Sequence, residues 1–60
     1  MHTTNGQNIY LGQRVVTSPH IDSEICIIKR IDTDNESVFV VPLNGTVGGW
    51  YSVATIISIN

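Results

Sequence analysis

The sequence predicts an all-β protein, a single five-stranded small barrel. Of its 60 residues, nine are Ile, seven are Val and six are Thr, whereas Leu, Met and Ala together number four. Side chains branched at Cβ fit a pleated strand better than a helix. Short apolar segments alternate with residues typical of turns, and none has the 3.6-residue apolar repeat of a helix. A chain this short forms one domain.

The first part of the chain is polar, and we expect residues 1–8 to form a flexible N-terminal tail and residues 9–60 to form the barrel. Gln13–Ser18 is predicted as the first full strand. It ends at Pro19, because proline has no N–H to donate to a neighbouring strand. Residues 19–23 then form a loop.

The middle of the chain carries the strongest strand pattern. Glu24–Ile31 is predicted as the second strand, and its centre is apolar on both faces. Asp32–Ser37 is predicted as a turn, because its side chains can hydrogen-bond to their own backbone. Val38–Leu43 is the third strand. Asn44-Gly45 follows and predicts a hairpin with a type I′ turn, in which both residues have positive φ.

The last quarter of the chain completes the sheet. Gly48-Gly49 indicates a bulge or a close approach of two backbones. Trp50-Tyr51 is predicted as the fourth strand. Ser52–Thr55 is too short for an α-helix and fits one 3₁₀ turn. Ile56–Ile59 is the fifth strand.

This arrangement resembles the SH3-like and Tudor-like small barrels. The features that carry the resemblance are Gly12, Arg14 and Val15 at the start of the first strand, a loop before the long second strand, and a one-turn break before a short last strand. The resemblance spans Ile9–Ile59. It implies a five-stranded barrel of a kind that binds peptides, methylated side chains, nucleic acids or other subunits, so it does not fix one function.

A second, narrower resemblance is to the type II dihydrofolate reductases, small SH3-like barrels that assemble as tetramers around a central pore. Leu11–Val15 and the closing Ile59-Asn60 resemble that family's first strand and C-terminus. The family's pore motif, Val-Gln-Ile-Tyr, is replaced here by Gly48–Val53, in which Tyr51 alone matches. This resemblance implies an NADPH-dependent reductase built from several copies.

Composition excludes several classes of protein. One cysteine cannot form an intrachain disulfide, and one cysteine with two histidines is too small a set for a zinc site. Three basic residues against five acidic ones argue against nucleic-acid binding. There is no apolar run of membrane-spanning length and no signal-peptide pattern. We therefore expect a cytoplasmic protein with no membrane association, metal or cofactor.

The aromatic residues are the best candidates for binding. Trp50 and Tyr51 are adjacent in a strand and so point to opposite faces; one ring is expected to complete the core and the other to contact a ligand or a partner, as Trp and Tyr often do. Tyr10, His20 and Arg14 are expected to contribute to the same binding surface.

No catalytic residues are predicted. His20 and Asp22 lie near two serines, but a catalytic triad is defined by geometry, which a loop on so small a scaffold does not supply. The sequence favours a non-catalytic binding module for a peptide, a partner protein or a small molecule. It also predicts a homo-oligomer, because Glu24–Ile31 has more apolar residues than one small barrel can cover. The alternatives are a phage or mobile-element protein that sequesters a signalling nucleotide, and a pore-type NADPH-dependent dihydrofolate reductase.

Overall fold

The computed structural model of the chain describes residues 2–3, 5–17, 24–45 and 47–59. It contains five strands and one 3₁₀ turn. The strands are β1 (Arg14–Val16), β2 (Cys26–Asp32), β3 (Ser37–Pro42), β4 (Gly49–Ser52) and β5 (Ile57–Ser58), with the 3₁₀ turn at Val53–Thr55 between β4 and β5. All paired strands are antiparallel, in the order β4-β3-β2-β1-β5.

The all-β prediction is confirmed, and each predicted strand lies within two residues of an observed one. Short segments rich in β-branched residues, separated by turn residues, were therefore a sufficient signal for the strands. The predicted closure into a barrel is wrong for the described residues: β4 and β5 lie at opposite edges, and no ladder joins them. β5 has only two residues and pairs with β1 alone, so the two edges remain apart.

The hydrophobic core lies on one side of this sheet. Val15 is opposite Cys26, and Ile28 is opposite Val40, so these four side chains share one face. Ile56, after the 3₁₀ turn, packs against them and is fully buried. The buried cluster consists of Val15, Cys26, Ile28, Val38, Val40 and Ile56. Among the described residues, six buried apolar side chains make a small core.

A β-bulge in β2, absent from the sequence prediction, changes which residues face the core. Ile28 is opposite Val40, but Arg30 is opposite the adjacent Phe39, so Lys29 is the extra residue. Lys29 and Arg30 are both exposed as a result. A bulge of this kind bends the strand and increases its twist.

The predicted turn between β2 and β3 is confirmed. The Asp32 Oδ1 atom accepts hydrogen bonds from the backbone N–H groups of Asp34 (3.1 Å) and Asn35 (3.3 Å). Glu36 completes the turn with φ of 50°, in the left-handed region that residues with a Cβ rarely adopt. Its carbonyl accepts a hydrogen bond from Val53 N (2.9 Å), which ties the turn to the 3₁₀ turn.

Glu36→Gly is expected to stabilise the protein by up to about 1 kcal/mol, because glycine adopts positive φ without the steric cost of a Cβ. Thermal or urea unfolding measures this difference. Asp34→Gly is the control in the same turn: Asp34 does not have positive φ, so there glycine only adds chain entropy to the unfolded state. Equal effects of the two substitutions would contradict the conformational explanation.

The hairpin predicted at Asn44-Gly45 differs from the observed connection. Gly45 N donates to Pro42 O (3.1 Å), so Leu43 and Asn44 are the central residues of the turn. Gly45 has φ of 82°, whereas Asn44 does not have positive φ, and the predicted type I′ turn is therefore wrong. The reason is that pairing between β3 and β4 stops at Val40, which leaves a connection longer than two residues.

Gly48 confirms the predicted close approach of two backbones. The position that a Cβ would occupy at Gly48 is already filled by the carbonyl oxygen of Val40, and it lies 2.9 Å from Val41 Cγ2. At Gly49 a Cβ would meet only Tyr51 Cε1, at 3.5 Å. Of the two glycines, Gly48 is therefore the one required by packing.

The N-terminal segment makes defined contacts with the sheet. The Asn5 side chain pairs with the backbone of Ser58: its Nδ2 donates to Ser58 O (2.9 Å), and its Oδ1 accepts from Ser58 N (3.1 Å). Ile59 N donates to Arg14 O on the side of β5 that pairs with β1. Because successive residues of a strand alternate, the N–H and C=O of Ser58 point away from β1. Asn5 thus occupies the place of a further strand. The predicted flexibility of residues 1–8 concerns motion and stays a prediction.

Gln13 is buried and supports the same region. Its Nε2 donates to Asn8 O (2.9 Å) and to Ser58 Oγ (3.3 Å), and its Oε1 accepts from Tyr10 N (3.2 Å). Every polar end of this side chain therefore has a partner, as a buried amide requires. Gln13 joins the N-terminal segment to β1 and β5.

Asn5→Ala is expected to cost about 1 kcal/mol, the usual net contribution of hydrogen bonds that water can replace. The specific readout is amide hydrogen exchange at Ser58, which we expect to accelerate more than exchange at Ile28 in the core. Gln7→Ala is the control, since Gln7 bonds to Thr3 through its backbone N–H and C=O. Unchanged exchange at Ser58 in Asn5→Ala would show that the amide pairing is not stable.

Candidate functional site

The side of the sheet opposite the core, which we call the outer face, is also apolar. Residues between the core positions along each strand point to this side. Ile27 is opposite Val41, and Val16 is opposite Ile57. Leu43 N bonds to Ile25 O, which extends the same row beyond the ends of the strands. The apolar residues of the outer face are Val16, Ile25, Ile27, Val41, Leu43 and Ile57. Arg14 and Arg30 are on the same side, opposite Ile27 and Phe39.

The outer face is open to solvent in a single copy. Leu43 and Ile25 are 58% and 40% exposed, and the other four side chains are half-buried. The expectation that the second strand is apolar on both faces is confirmed: Cys26 and Ile28 face the core, while Ile25 and Ile27 face outward. Contiguous exposed apolar surface of this kind commonly marks an interaction site.

Trp50 extends the outer face onto β4. It is opposite Phe39, and the two rings meet edge to face, with centroids 5.5 Å apart and planes at 63°. Aromatic pairs prefer this geometry, so Phe39 holds the Trp50 ring in one orientation. Trp50 is nevertheless 53% exposed, which leaves much of the indole available for a ligand.

Tyr51 points to the core side of the sheet, because it is opposite the buried Val38. It is 42% exposed and does not belong to the core cluster. The expectation that either Trp50 or Tyr51 completes the core is therefore wrong. The reason is that β4 is an edge strand, so a ring on its core side has neighbours on one side only.

A depression of about 330 Å³ lies where the outer face meets the turn between β2 and β3. Asp32, Asn35, Ser37 and Trp50 line it. Hydrogen bonds from the Asn35 side chain and backbone, and from the Asp34 backbone, lower the pKa of Asp32. The carboxylate is therefore ionised near neutral pH, and the stability that it contributes is lost only as the pH falls through its folded-state pKa.

The structure separates the other predicted site residues. Arg14 lies on β1, with its side chain on the outer face opposite Ile27, and two strands separate it from Trp50 on β4. Tyr10 is exposed in the turn that leads into β1. His20 lies outside the described residues. Within one copy, the described members of the predicted binding surface do not converge on one site.

The remaining reactive groups offer no second site in the described part of the chain. Cys26 is buried, and burial, followed by the nearby Glu24 carboxylate, raises the pKa of its thiol, so it acts as a small apolar side chain. Within the described ranges no three His, Cys, Asp or Glu side chains group to hold a metal ion. Among the described residues, no helix is both long enough and apolar enough to cross a bilayer.

The polar residues of the depression were missed in the sequence. Asp32, Asn35 and Ser37 were interpreted only as a turn, because their approach to Trp50 depends on the register of three strands. The spacing of Asp32 and Asn35 was the available signal, since Asp often accepts hydrogen bonds from residues two and three positions later.

Comparison with protein-family models, curated proteins and solved structures gave no match. Function is therefore inferred from the outer face and the depression.

Proposed function

We propose that this chain is a non-catalytic binding module of SH3-like topology that self-associates through its outer face and binds a ligand at the aromatic end of that face. The observation that carries the proposal is the apolar outer face on the side of the sheet away from the core. A peptide, a partner protein or a small molecule can serve as the ligand.

The strand arrangement supports the finer fold assignment. The order β4-β3-β2-β1-β5 is antiparallel throughout, and a 3₁₀ turn separates β4 from β5. This combination agrees with the SH3-like and Tudor-like pattern expected from the sequence. Because that fold serves many kinds of ligand, the topology supports a binding role without choosing the ligand.

A second copy of this chain is the partner that fits the outer face. The core of the described part of the chain has six buried apolar residues, and association of folded copies stabilises them by mass action. The broad side of the molecule measures about 27 × 21 Å. Two copies in contact over that side bury on the order of 1,000 Å², near the lower limit for a specific interface. We therefore propose association in the micromolar range.

Self-association also explains how the separated candidate residues act together. Within one copy, two strands separate Arg14 from Trp50. In a pair of copies related by a two-fold axis, Arg14 and Tyr10 of one copy can lie beside Trp50 of the other. The binding surface would then be completed at the subunit boundary, where small domains commonly form pockets.

Trp50 is the only tryptophan in the chain, so its fluorescence reports directly on this surface. We expect emission to shift to the blue when a concentrated sample binds members of a panel of short peptides, cyclic dinucleotides and NADPH. Trp50→Phe removes the signal, so binding by that variant is followed by calorimetry, with Val47→Ala as the control in an exposed loop. No response to any class, or unchanged binding by Trp50→Phe, would contradict a ligand site at Trp50.

A further inference from the structure

The depression beside Trp50 combines an aromatic wall with a fixed carboxylate. Phe39 holds the indole by an edge contact, and Trp50 forms one wall of the cavity of about 330 Å³. Asp32 lies on the same side of the sheet, because it is opposite Ser37 in the register that places Phe39 opposite Trp50. The face of an indole ring attracts cations through its quadrupole.

The Asp32 carboxylate is oriented by its own turn. Its Oδ1 accepts from Asp34 N and Asn35 N, and its Oδ2 accepts from Asn35 Nδ2 at 2.8 Å. A carboxylate offers about four acceptor positions, so at least one stays open for a ligand. These bonds hold the group in place before any ligand arrives, which lowers the cost of ordering it on binding.

The other polar groups of the depression are also mainly acceptors. The Ser37 hydroxyl donates to Asn35 O at 3.1 Å, so its lone pairs remain. Asn35 Nδ2 donates one hydrogen to Asp32 Oδ2, and the Asn35 side-chain oxygen is a hydrogen-bond acceptor. A ligand that donates several hydrogen bonds and carries positive charge satisfies this set. An anion would be repelled, and an apolar group would desolvate the carboxylate without a partner.

We propose that the depression binds a guanidinium or ammonium group, held between the indole face of Trp50 and the carboxylate of Asp32. This proposal rests on the proposed function and names the ligand chemistry of the same surface. Asp34 and Glu36 are exposed on the adjacent turn, and the chain has a formal net charge of −2. Arg30 is on the same side of the sheet, opposite Phe39, but the three acidic side chains of the turn outnumber it, so the local field also favours a cation. The cation can be a side chain of a peptide or a free organic cation.

Two-dimensional ¹H–¹⁵N NMR titration tests the proposal. The probe is Nα-acetyl-arginine amide, and Nα-acetyl-citrulline amide is its neutral counterpart of nearly the same shape. We expect saturable shifts at the Trp50 indole N–H and at the Asn35 and Ser37 amides, with citrulline binding at least tenfold more weakly, because it lacks the charge. Equal affinities, or shifts spread evenly over the molecule, would overturn the proposal.

Two matched charge variants make the test specific. Asp32→Asn is expected to weaken arginine binding about fivefold, since the ion pair is lost, while the amide oxygen can still accept from the turn. Asp34→Asn removes the same charge outside the lining of the depression, and we expect less than a twofold change. Trp50→Leu is expected to weaken binding about threefold. Equal effects of Asp32→Asn and Asp34→Asn would show a general charge effect and would overturn the site.

Two further probes identify the source of the cation. Tighter binding of the peptide Gly-Arg-Gly than of methylguanidinium supports a polypeptide ligand, whereas tighter binding of methylguanidinium supports a free cation. The oligomeric mass is measured on the same samples. Association without saturable cation binding would overturn this inference alone, and cation binding by a strict monomer would contradict the proposed self-association while leaving the cation site standing.

Discussion

Gly48→Ala is expected to lower the free energy of unfolding by about 2–3 kcal/mol, the upper part of the range of about 1–3 kcal/mol found when a packed position is overfilled. The new Cβ overlaps the Val40 carbonyl oxygen and lies 2.9 Å from Val41 Cγ2. The Val40 carbonyl oxygen belongs to the backbone of β3, so it cannot move aside without disturbing the pairing of β3 with its neighbours. For a domain of this size the loss corresponds to a fall in the melting temperature of roughly 10–20 °C, which calorimetry or thermal unfolding by circular dichroism measures.

Gly49→Ala is the matched control for this prediction. Its Cβ meets only the flexible edge of the Tyr51 ring, at 3.5 Å. Alanine also loses less chain entropy on folding than glycine. We therefore expect stability within about 0.5 kcal/mol of the parent protein. A Gly48→Ala variant as stable as Gly49→Ala would show that the close approach of Gly48 to β3 is absent in solution.

Leu43→Asp is expected to weaken self-association at least about 100-fold, because an unpaired carboxylate in a closed apolar contact costs several kcal/mol. Leu43 is 58% exposed in one copy, so the fold of the single chain tolerates the charge. The rotational correlation time from ¹⁵N relaxation should fall to that of a 6.6 kDa monomer.

Ala54→Asp supplies the control for the outer-face variant. It adds the same charge at an exposed position of the 3₁₀ turn, where the neighbouring Val53 and Ile56 pack on the core side of the sheet. We expect this variant to associate as the parent protein does. Equal loss of association in both variants would indicate simple charge repulsion rather than contact through the outer face.

The strands could be predicted because their signal is local. β2 is rich in isoleucine, which is branched at Cβ, and the acidic turn after Asp32 can be recognised from its own side chains. The 3₁₀ turn at Val53–Thr55 was predictable for the same reason. In each case the residues that determine the structure are neighbours in the chain.

The errors and omissions concern contacts between distant segments. The bulge at Lys29 depends on how β3 aligns with β2, and the turn before Gly45 depends on where the pairing of β4 stops. The pairing of Asn5 with Ser58 joins residues 53 positions apart. Short apolar strands do not encode such registers in their composition, so neither the open sheet nor these contacts followed from the sequence.

The candidate site was predictable only in part. Trp50 was predicted as a binding residue because Trp and Tyr often make the strongest contacts at interfaces. Its neighbours in the depression, Asp32, Asn35 and Ser37, come from other elements and were not connected with it. The surplus of apolar residues in the second strand, by contrast, led directly to the outer face, because side chains alternate across a strand.

We propose above that a second copy of this chain covers the outer face. Light scattering coupled to size-exclusion chromatography tests it most directly, with loading concentrations from about 10 µM to about 1 mM to span the expected micromolar affinity. We expect a mass that rises with concentration from 6.6 kDa towards a whole-number multiple of that value. A mass of 6.6 kDa at every concentration would contradict it.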